Sequence, residues 1–258
     1  MNTSTKRYIS EKLSSLFSIS SLIMKPVVGL RILMYHSINR QSDKLIENHN
    51  DNIFTVNLSS FESQLLSIAN SDCQVTNLKE GINNINDNIP SIAITFDDGF
   101  NDNLINAAPL LIDYNFPFTI FISTNNLDKP NYLSVSDIKE LSKYKGVEIG
   151  SHGVTHSPFT KLSKNELINE LIKSKAVLED ISGKEISTIS YPHGLVNNNI
   201  IQEVEAAGYE YAFSSKMGIN NNTYNKYLLK RTTILSFDKE KEFNQKLRGY
   251  WDWYGWLV

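Results

Sequence analysis

The sequence has a single cysteine, Cys73, in 258 residues, and its charges nearly cancel, with 25 Lys and Arg against 28 Asp and Glu. One cysteine excludes an intramolecular disulfide framework and a zinc site built from several thiolates. A net charge of −3 provides no general attraction to a phosphate backbone, so no nucleic-acid partner is expected. The chain also lacks a run of about 20 apolar residues, so no transmembrane helix is indicated.

The first 28 residues differ in character from the rest of the chain. Three basic residues lead into a short apolar run, 16–24, which serines interrupt. The run ends at Lys25 without a small-x-small cleavage site, which favours an amphipathic N-terminal segment over 1–28 rather than a secretion signal. Such a segment can cap the fold or contact a membrane surface. We therefore expect a cytoplasmic protein with peripheral membrane contact, and a periplasmic or secreted location is the alternative.

Strand patterns alternate with helical patterns along most of the remaining chain. Apolar and β-branched runs predict strands at 32–35, 92–96, 118–122, 147–150, 186–189 and 209–213. Apolar residues at helical spacing predict helices at 59–69, 103–114, 136–142, 163–181 and 198–207, with a kink or restart at Pro109. The polar, Asn-rich stretches 39–57 and 70–90 are predicted to be surface loops.

This β-then-α order predicts an α/β fold in which helices cover parallel strands. No Pro/Gly/Ser-rich linker divides the chain, so a closed or nearly closed (β/α) barrel fits better than two domains. The last residues, 239–258, contain all three tryptophans. We expect this aromatic tail to pack on the barrel, and membrane contact or stacking on a sugar are the alternatives.

Two adjacent carboxylates, Asp97 and Asp98, directly follow the predicted strand 92–96, and Gly99 allows a sharp turn after them. Buried carboxylates are unfavourable unless another group neutralises them. The carboxyl ends of barrel strands are where functional sites form. Taken alone, this segment is more typical of an ordinary Asp-Asp-Gly turn.

Two histidines spaced by four, His152 and His156, follow the predicted strand 147–150. This spacing can direct both imidazoles at one metal ion, although surface histidines near a turn show the same spacing. One carboxylate and two imidazoles provide three protein ligands and leave a position for water, as in catalytic zinc sites. A second carboxylate beside them can act as a base, which favours hydrolysis over Fe(II) oxygen chemistry.

The segments Thr95-Phe96-Asp97-Asp98-Gly99 and Ser151-His152-x-x-x-His156 resemble the first two motifs of the polysaccharide deacetylases, also called the NodB-homology or carbohydrate esterase family 4 group. Ile189-Ser190-Tyr191-Pro192-His193-Gly194 resembles the third motif of that family. The resemblance implies a distorted (β/α) barrel of about seven parallel strands, which we assign to 29–238. It also implies a divalent metal, usually zinc, and removal of acetyl groups from sugars, mostly N-acetyl groups.

The resemblance also implies roles for the residues of the first two motifs. Asp97 corresponds to the general base of the family. Asp98, His152 and His156 correspond to the metal ligands, and Zn2+ is the expected ion.

The third motif departs from the family pattern at two positions. Ser190 stands where the family has an arginine, and His193 stands where it has a tyrosine. Tyr191, Pro192 and His193 are expected to form the substrate-binding turn, in which the backbone N–H of His193 can still stabilise an oxyanion. Arg231 is the candidate to replace the missing arginine beside Asp97, and a surface arginine is the alternative.

The family's late histidine is also missing, because no histidine follows His193. His36, at the end of the first strand, resembles the early histidine in the rearranged motif order of biofilm poly-N-acetylglucosamine deacetylases. We therefore predict that His36 is the general acid, and a histidine that merely caps a strand end is the alternative.

The sequence as a whole predicts a metal-dependent hydrolase that removes acetyl groups from N-acetylated sugars and releases acetate. Its expected partner is a bacterial-type polysaccharide or a lipid-linked glycan. Two alternatives stay open, an O-acetyl esterase acting on a glycan and a carbohydrate-binding protein without activity. The sequence leaves the oligomeric state undetermined.

Overall fold

The computed structural model describes residues 27–40, 51–87 and 89–256. Over these residues the chain forms one α/β domain, in which a curled sheet of parallel strands is flanked by helices. This half-barrel confirms the predicted distorted (β/α) barrel. The N-terminal segment predicted over 1–28 lies outside the described residues except for its last two positions. Within the described part of the chain, no helix is both long and apolar enough to span a bilayer.

The described residues form ten strands, all of which pair in parallel. They are β1 (Gly29–Tyr35), β2 (Ser37–Asn39), β3 (Thr55–Asn57), β4 (Gln74–Val75), β5 (Pro90–Phe96), β6 (Phe118–Ile122), β7 (Val147–Ser151), β8 (Thr188–Ser190), β9 (Tyr211–Phe213) and β10 (Thr232–Thr233). Seven of them follow one path, β10-β1-β5-β6-β7-β8-β9, and β4 pairs with β5. β2 and β3 make a separate small sheet.

Seven α-helices accompany the strands in the same residues. They are α1 (Leu58–Ala69), α2 (Leu78–Asn83), α3 (Ala108–Asp113), α4 (Val135–Leu141), α5 (Lys164–Ser182), α6 (Asn198–Ala206) and α7 (Glu240–Leu247). The predicted restart at Pro109 is confirmed, because a π-turn at Asn103–Ala107 precedes α3 and Pro109 lies in the first turn of that helix.

The longest helix, α5, shows how the sequence specifies an element. Ser163 and Glu166 form the predicted capping box, and Gly183 at φ 66° ends the helix. Leu167, Leu171 and Leu178 form its buried apolar face, as their spacing predicted. That face joins the main hydrophobic core beneath the sheet.

The prediction of surface loops at 39–57 and 70–90 is wrong in part, because these stretches contain β3, β4 and α2. The error has a physical cause, since two asparagines in these stretches are helix caps. Asn57 accepts a hydrogen bond from the N–H of Ser59 (3.0 Å), and Asn77 accepts one from the N–H of Glu80 (2.8 Å). Smaller differences concern where elements begin. The strands predicted at 186–189 and 209–213 begin two residues later, as β8 and β9, and the N-cap of α4 is Ser134 rather than Ser136.

The C-terminal residues pack against the sheet beside β1. Arg31 of β1 is 2% exposed, and its guanidinium donates to both carboxylate oxygens of Asp252 (2.8 and 2.9 Å) and to the carbonyl of Leu247 (3.0 Å). Arg31 also donates to Thr232 in β10 (3.0 Å). These bonds hold residues 247–252 against β1 and connect β1 to β10, the strand that follows Arg231.

Candidate active site

The chemically active side chains come together at one edge of the sheet. Parallel strands have their carboxyl ends on the same side, so residues far apart in sequence become neighbours there. In this fold that edge holds residues that follow or end β1, β5, β7 and β8, namely His36, Asp97, Asp98, His152, His156 and Ser190. Arg231 lies just before β10, and its long side chain reaches Asp97 at this edge.

Asp98, His152 and His156 form a cluster of three candidate metal ligands. Oδ1 of Asp98 lies 3.1 Å from Nε2 of His156 and 3.4 Å from Nε2 of His152. Each residue offers one ligand atom, and these atoms all lie within 4.8 Å of one another. Asp98 and His156 adopt left-handed backbone conformations (φ 74° and 62°), which are rare for residues other than glycine and often mark functional sites.

The donor set of this cluster fits a divalent cation. Oδ1 of Asp98 is buried and faces the two imidazole nitrogens, but it accepts no well-aligned hydrogen bond from the described residues, which is unfavourable for a buried carboxylate oxygen. Nδ1 of His152 lies 2.8 Å from the carbonyl oxygen of Ser190, so an N–H at Nδ1 donates there and Nε2 keeps its lone pair for a metal. Two imidazole nitrogens and one carboxylate oxygen are ligands that suit Zn2+.

Asp97 is held in a buried ion pair with Arg231, at 3% and 1% exposure. The guanidinium donates to both carboxylate oxygens at 2.7 Å, and it also donates to the hydroxyl of Ser190 (2.7 Å) and the carbonyl of Ser214 (3.0 Å). Ser190 in turn donates to Oδ2 of Asp97 (3.1 Å). Burial alone would raise the pKa of Asp97, but Arg231 and His152 hold that pKa below its usual value. Asp97 is therefore a carboxylate.

His36 lies between β1 and β2, with its ring 4.6 Å from the ring of Phe54. Its backbone carbonyl accepts a hydrogen bond from the amide of Asn103 (2.7 Å). Nδ1 of His36 is buried and has no hydrogen-bond partner among the described residues. Burial lowers the pKa of this imidazole, and the nearby carboxylates of Asp98 and Asp97 oppose that effect. Tyr35 and Phe96 pair in the sheet, so His36 and Asp97 follow neighbouring strands at the same level.

The third motif forms a 3-10 turn, Pro192–Gly194, directly after β8. His193 in this turn has φ 59°, and its ring lies 4.7 Å from the ring of His156. The side chain of Tyr191 is 1% exposed in the core, where its hydroxyl donates to the carbonyl of Tyr227 (3.0 Å). Because the phenol ring and its hydroxyl are buried and hydrogen-bonded in the core, only the backbone of Tyr191 is available for the predicted substrate-binding role. Pro192 is likewise buried.

Sequence reasoning gave no role to Glu170, which the structure places under the histidine turn. Its carboxylate accepts hydrogen bonds from the N–H groups of Val154 (2.6 Å) and Thr155 (3.0 Å). A signal was present in the sequence, because Glu170 and Ser174 interrupt the apolar face of α5 at helical spacing. Polar residues on a buried helix face need partners, and here the partners belong to the site.

Comparisons with known proteins show which family the chain is similar to. A family model described as polysaccharide deacetylase matches residues 84–212. A poly-β-1,6-N-acetyl-D-glucosamine N-deacetylase of Staphylococcus aureus is 30% identical over 199 residues, which cover 70% of this chain and 68% of the relative. YxkH of Bacillus subtilis, whose name places it among polysaccharide deacetylases, is 28% identical over 209 residues, covering 80% and 71%. The crystal structure of a polysaccharide deacetylase from Bacillus cereus superposes with a TM-score of 0.74 at 26% identity, covering 85% and 69%.

The ion pair beneath the site makes a prediction about stability. Replacing Arg231 with methionine leaves the charge of Asp97 buried without its partner, so we expect the free energy of unfolding to fall by about 3–5 kcal/mol. Urea denaturation measures this loss. Adding Asp97→Asn to the Arg231→Met variant removes the unpaired charge and should recover part of the stability. A single variant that loses less than about 1 kcal/mol would contradict the importance given to this pair.

Proposed function

The chain belongs to the polysaccharide deacetylase family, and we propose that it hydrolyses N-acetyl groups of a β-1,6-linked poly-N-acetylglucosamine. The reaction releases acetate and leaves a free amine on the sugar. It depends on a divalent metal, Zn2+, for which Asp98, His152 and His156 are the ligands.

One observation carries this proposal: three convergent ligand atoms lie next to a carboxylate that is held by a buried arginine. A protein that only binds carbohydrate needs neither a metal-ligand set nor an oriented base beside it. Hydrolysis of an amide needs both, because water is a weak nucleophile and the acetyl carbonyl is a weak electrophile. The chemistry that a cation supplies there is Lewis acidity, which polarises the acetyl carbonyl and makes water more acidic.

Asp97 acts as the general base. Its carboxylate takes the proton of the attacking water while the water oxygen forms a bond to the acetyl carbon. Arg231 binds both oxygens of Asp97, and Ser190 binds one of them, so the carboxylate is oriented before substrate arrives. This orientation removes the need for reorganisation during attack.

The turn at His193 and the imidazole of His36 complete the reaction. The backbone N–H of His193 donates a hydrogen bond to the oxyanion that forms when water attacks. The C–N bond then breaks, and His36 donates a proton to the departing nitrogen. The acetyl group leaves as acetic acid, which ionises to acetate, and the sugar keeps the neutral amine. The proton held by Asp97 returns through solvent to His36, which restores both groups for the next turnover.

The choice of glycan follows from the relatives and from the position of the acid. The Staphylococcus aureus relative is named for poly-β-1,6-N-acetyl-D-glucosamine, and it matches 70% of this chain. The candidate acid follows β1 rather than lying near the C-terminus, in line with the motif order described for deacetylases of biofilm poly-N-acetylglucosamine. Both points support a β-1,6-linked substrate.

The decisive experiment measures free amine and acetate released from N-acetylglucosamine oligomers of β-1,6 and β-1,4 linkage and from an O-acetylated glycan. We expect release from the β-1,6 oligomer, loss of that release with a chelator and recovery with added Zn2+. Faster release from the O-acetylated glycan would support an esterase instead. No release from any glycan in the presence of Zn2+ would contradict the proposed hydrolysis.

The two adjacent aspartates should separate metal binding from proton transfer. Asp98→Asn should lose both Zn2+ binding and turnover, because a carboxylate ligand is removed. Asp97→Asn should keep Zn2+ binding while kcat falls by about 10²–10⁴, the usual contribution of a general base. Equilibrium dialysis against Zn2+ and steady-state kinetics measure the two effects. Near-normal turnover in folded Asp97→Asn would exclude this residue as the base.

The leaving group provides a test for His36. His36→Ala should lose about 10²–10⁴ in kcat on an N-acetyl sugar, because the departing amine needs a proton. An aryl acetate has a leaving group that needs little protonation, so the same variant should keep a much larger share of its activity there. Asn39→Ala, in the neighbouring strand β2, serves as a control for general disturbance of this segment. Equal losses on both substrates would contradict an acid role for His36.

A further inference from the structure

The turn that carries the two candidate histidine ligands is unusual in its backbone. Gly153 and His156 both adopt positive φ (75° and 62°), so the chain between them cannot continue the hydrogen bonding of β7. The carbonyls of this turn are bound from one side, since the N–H groups of Thr124 and Asn125 donate to Gly153 (3.1 Å) and Val154 (2.8 Å). The N–H groups on the other side need acceptors of their own.

Glu170 of α5 supplies those acceptors. It is 4% exposed, and Oε2 accepts from the N–H of Val154 (2.6 Å) and from the N–H of Thr155 (3.0 Å). Oε1 accepts from the hydroxyl of Thr155 (2.7 Å). Three donors on two consecutive residues thus bind one buried carboxylate, and hydrogen bonds to a charged acceptor are stronger than those between neutral groups.

The two histidines differ in how directly they are connected to Glu170. The N–H of His152 donates to the carbonyl of Ile122 (2.9 Å), its carbonyl accepts from the hydroxyl of Ser123 (3.1 Å), and its ring binds the carbonyl of Ser190 (2.8 Å). None of these contacts involves Glu170. His156 instead directly follows Thr155, the residue that Glu170 binds through both its N–H and its hydroxyl.

We propose that Glu170 is a positioning residue for His156: its buried carboxylate holds the left-handed turn in the shape that brings Nε2 of His156 to Oδ1 of Asp98. This inference rests on the proposed metal site and extends it to a residue that touches neither metal nor substrate. Glutamine at this position presents an amide NH2 where an acceptor is needed, so it cannot satisfy all the donors of the turn.

The test compares Co2+ binding in wild type, Glu170→Gln, His156→Ala and the double variant, by titration of the visible Co2+ absorption band. We expect Glu170→Gln to weaken Co2+ binding by about 10–100-fold, the usual effect of residues that orient metal ligands. In the His156→Ala background the same substitution should change binding by less than about 3-fold, because the ligand through which Glu170 acts is absent. Glu166→Gln, at an exposed position in the same helix, is the matched control and should bind Co2+ like wild type.

A general loss of structure would give a different result, since Glu170→Gln would then weaken Co2+ binding equally in both backgrounds. That outcome, or wild-type affinity in Glu170→Gln, overturns the proposal. If Glu170→Gln does not fold, Thr155→Val removes one donor with little change in shape, and it should weaken binding only when His156 is present. If wild-type protein binds no Co2+, the metal site itself is contradicted. If wild type and Glu170→Gln bind Co2+ equally well, only the role of Glu170 is contradicted.

Discussion

The buried ion pair between Asp97 and Arg231 is the constraint on which the rest of the site depends. It joins the end of β5 to the start of β10 across β1, so the curled sheet must bring these distant strands together before the charges can meet. A carboxylate at 3% exposure would be strongly unfavourable without such a partner. The parallel pairing of β5, β1 and β10 and the orientation of the candidate base therefore depend on each other.

The carboxylates of Asp97, Glu170 and Asp98 lie at or near this edge of the sheet, and each is stabilised in a different way. Arg231 neutralises Asp97, and backbone N–H groups with a hydroxyl bind Glu170. Asp98 has only two imidazoles beside it, and its Oδ1 accepts no well-aligned hydrogen bond from the described residues. The first two arrangements are complete without a ligand, whereas the third has the donor set that a bound cation would complete. This difference separates the residues that hold the site from those that would bind the metal.

The departure in the third motif has a structural compensation. Ser190 is small, which leaves room beside Asp97 for the guanidinium that Arg231 extends from another strand, and its hydroxyl joins the same hydrogen-bond network. The arginine therefore reaches the candidate base, Asp97, from a different position in the chain. A backbone donor such as the N–H of His193 depends little on the side chain at its position, which explains how histidine can stand where the family has tyrosine.

The sequence by itself determined the order of the main strands and helices, β1, β5 to β9, α1 and α3 to α6. It also determined the capping box of α5 and the two segments containing Asp97, Asp98, His152 and His156, because periodicity, caps and motif spacing are local properties. It misplaced the Asn-rich stretches, where Asn57 and Asn77 proved to be helix caps, since loops and caps share a composition. The tertiary structure alone decided that Arg231 pairs with Asp97, that Tyr191 points into the core and that Glu170 binds the histidine turn. Each of these facts joins residues from separate strands and helices, and only the curvature and register of the sheet determine which of them meet.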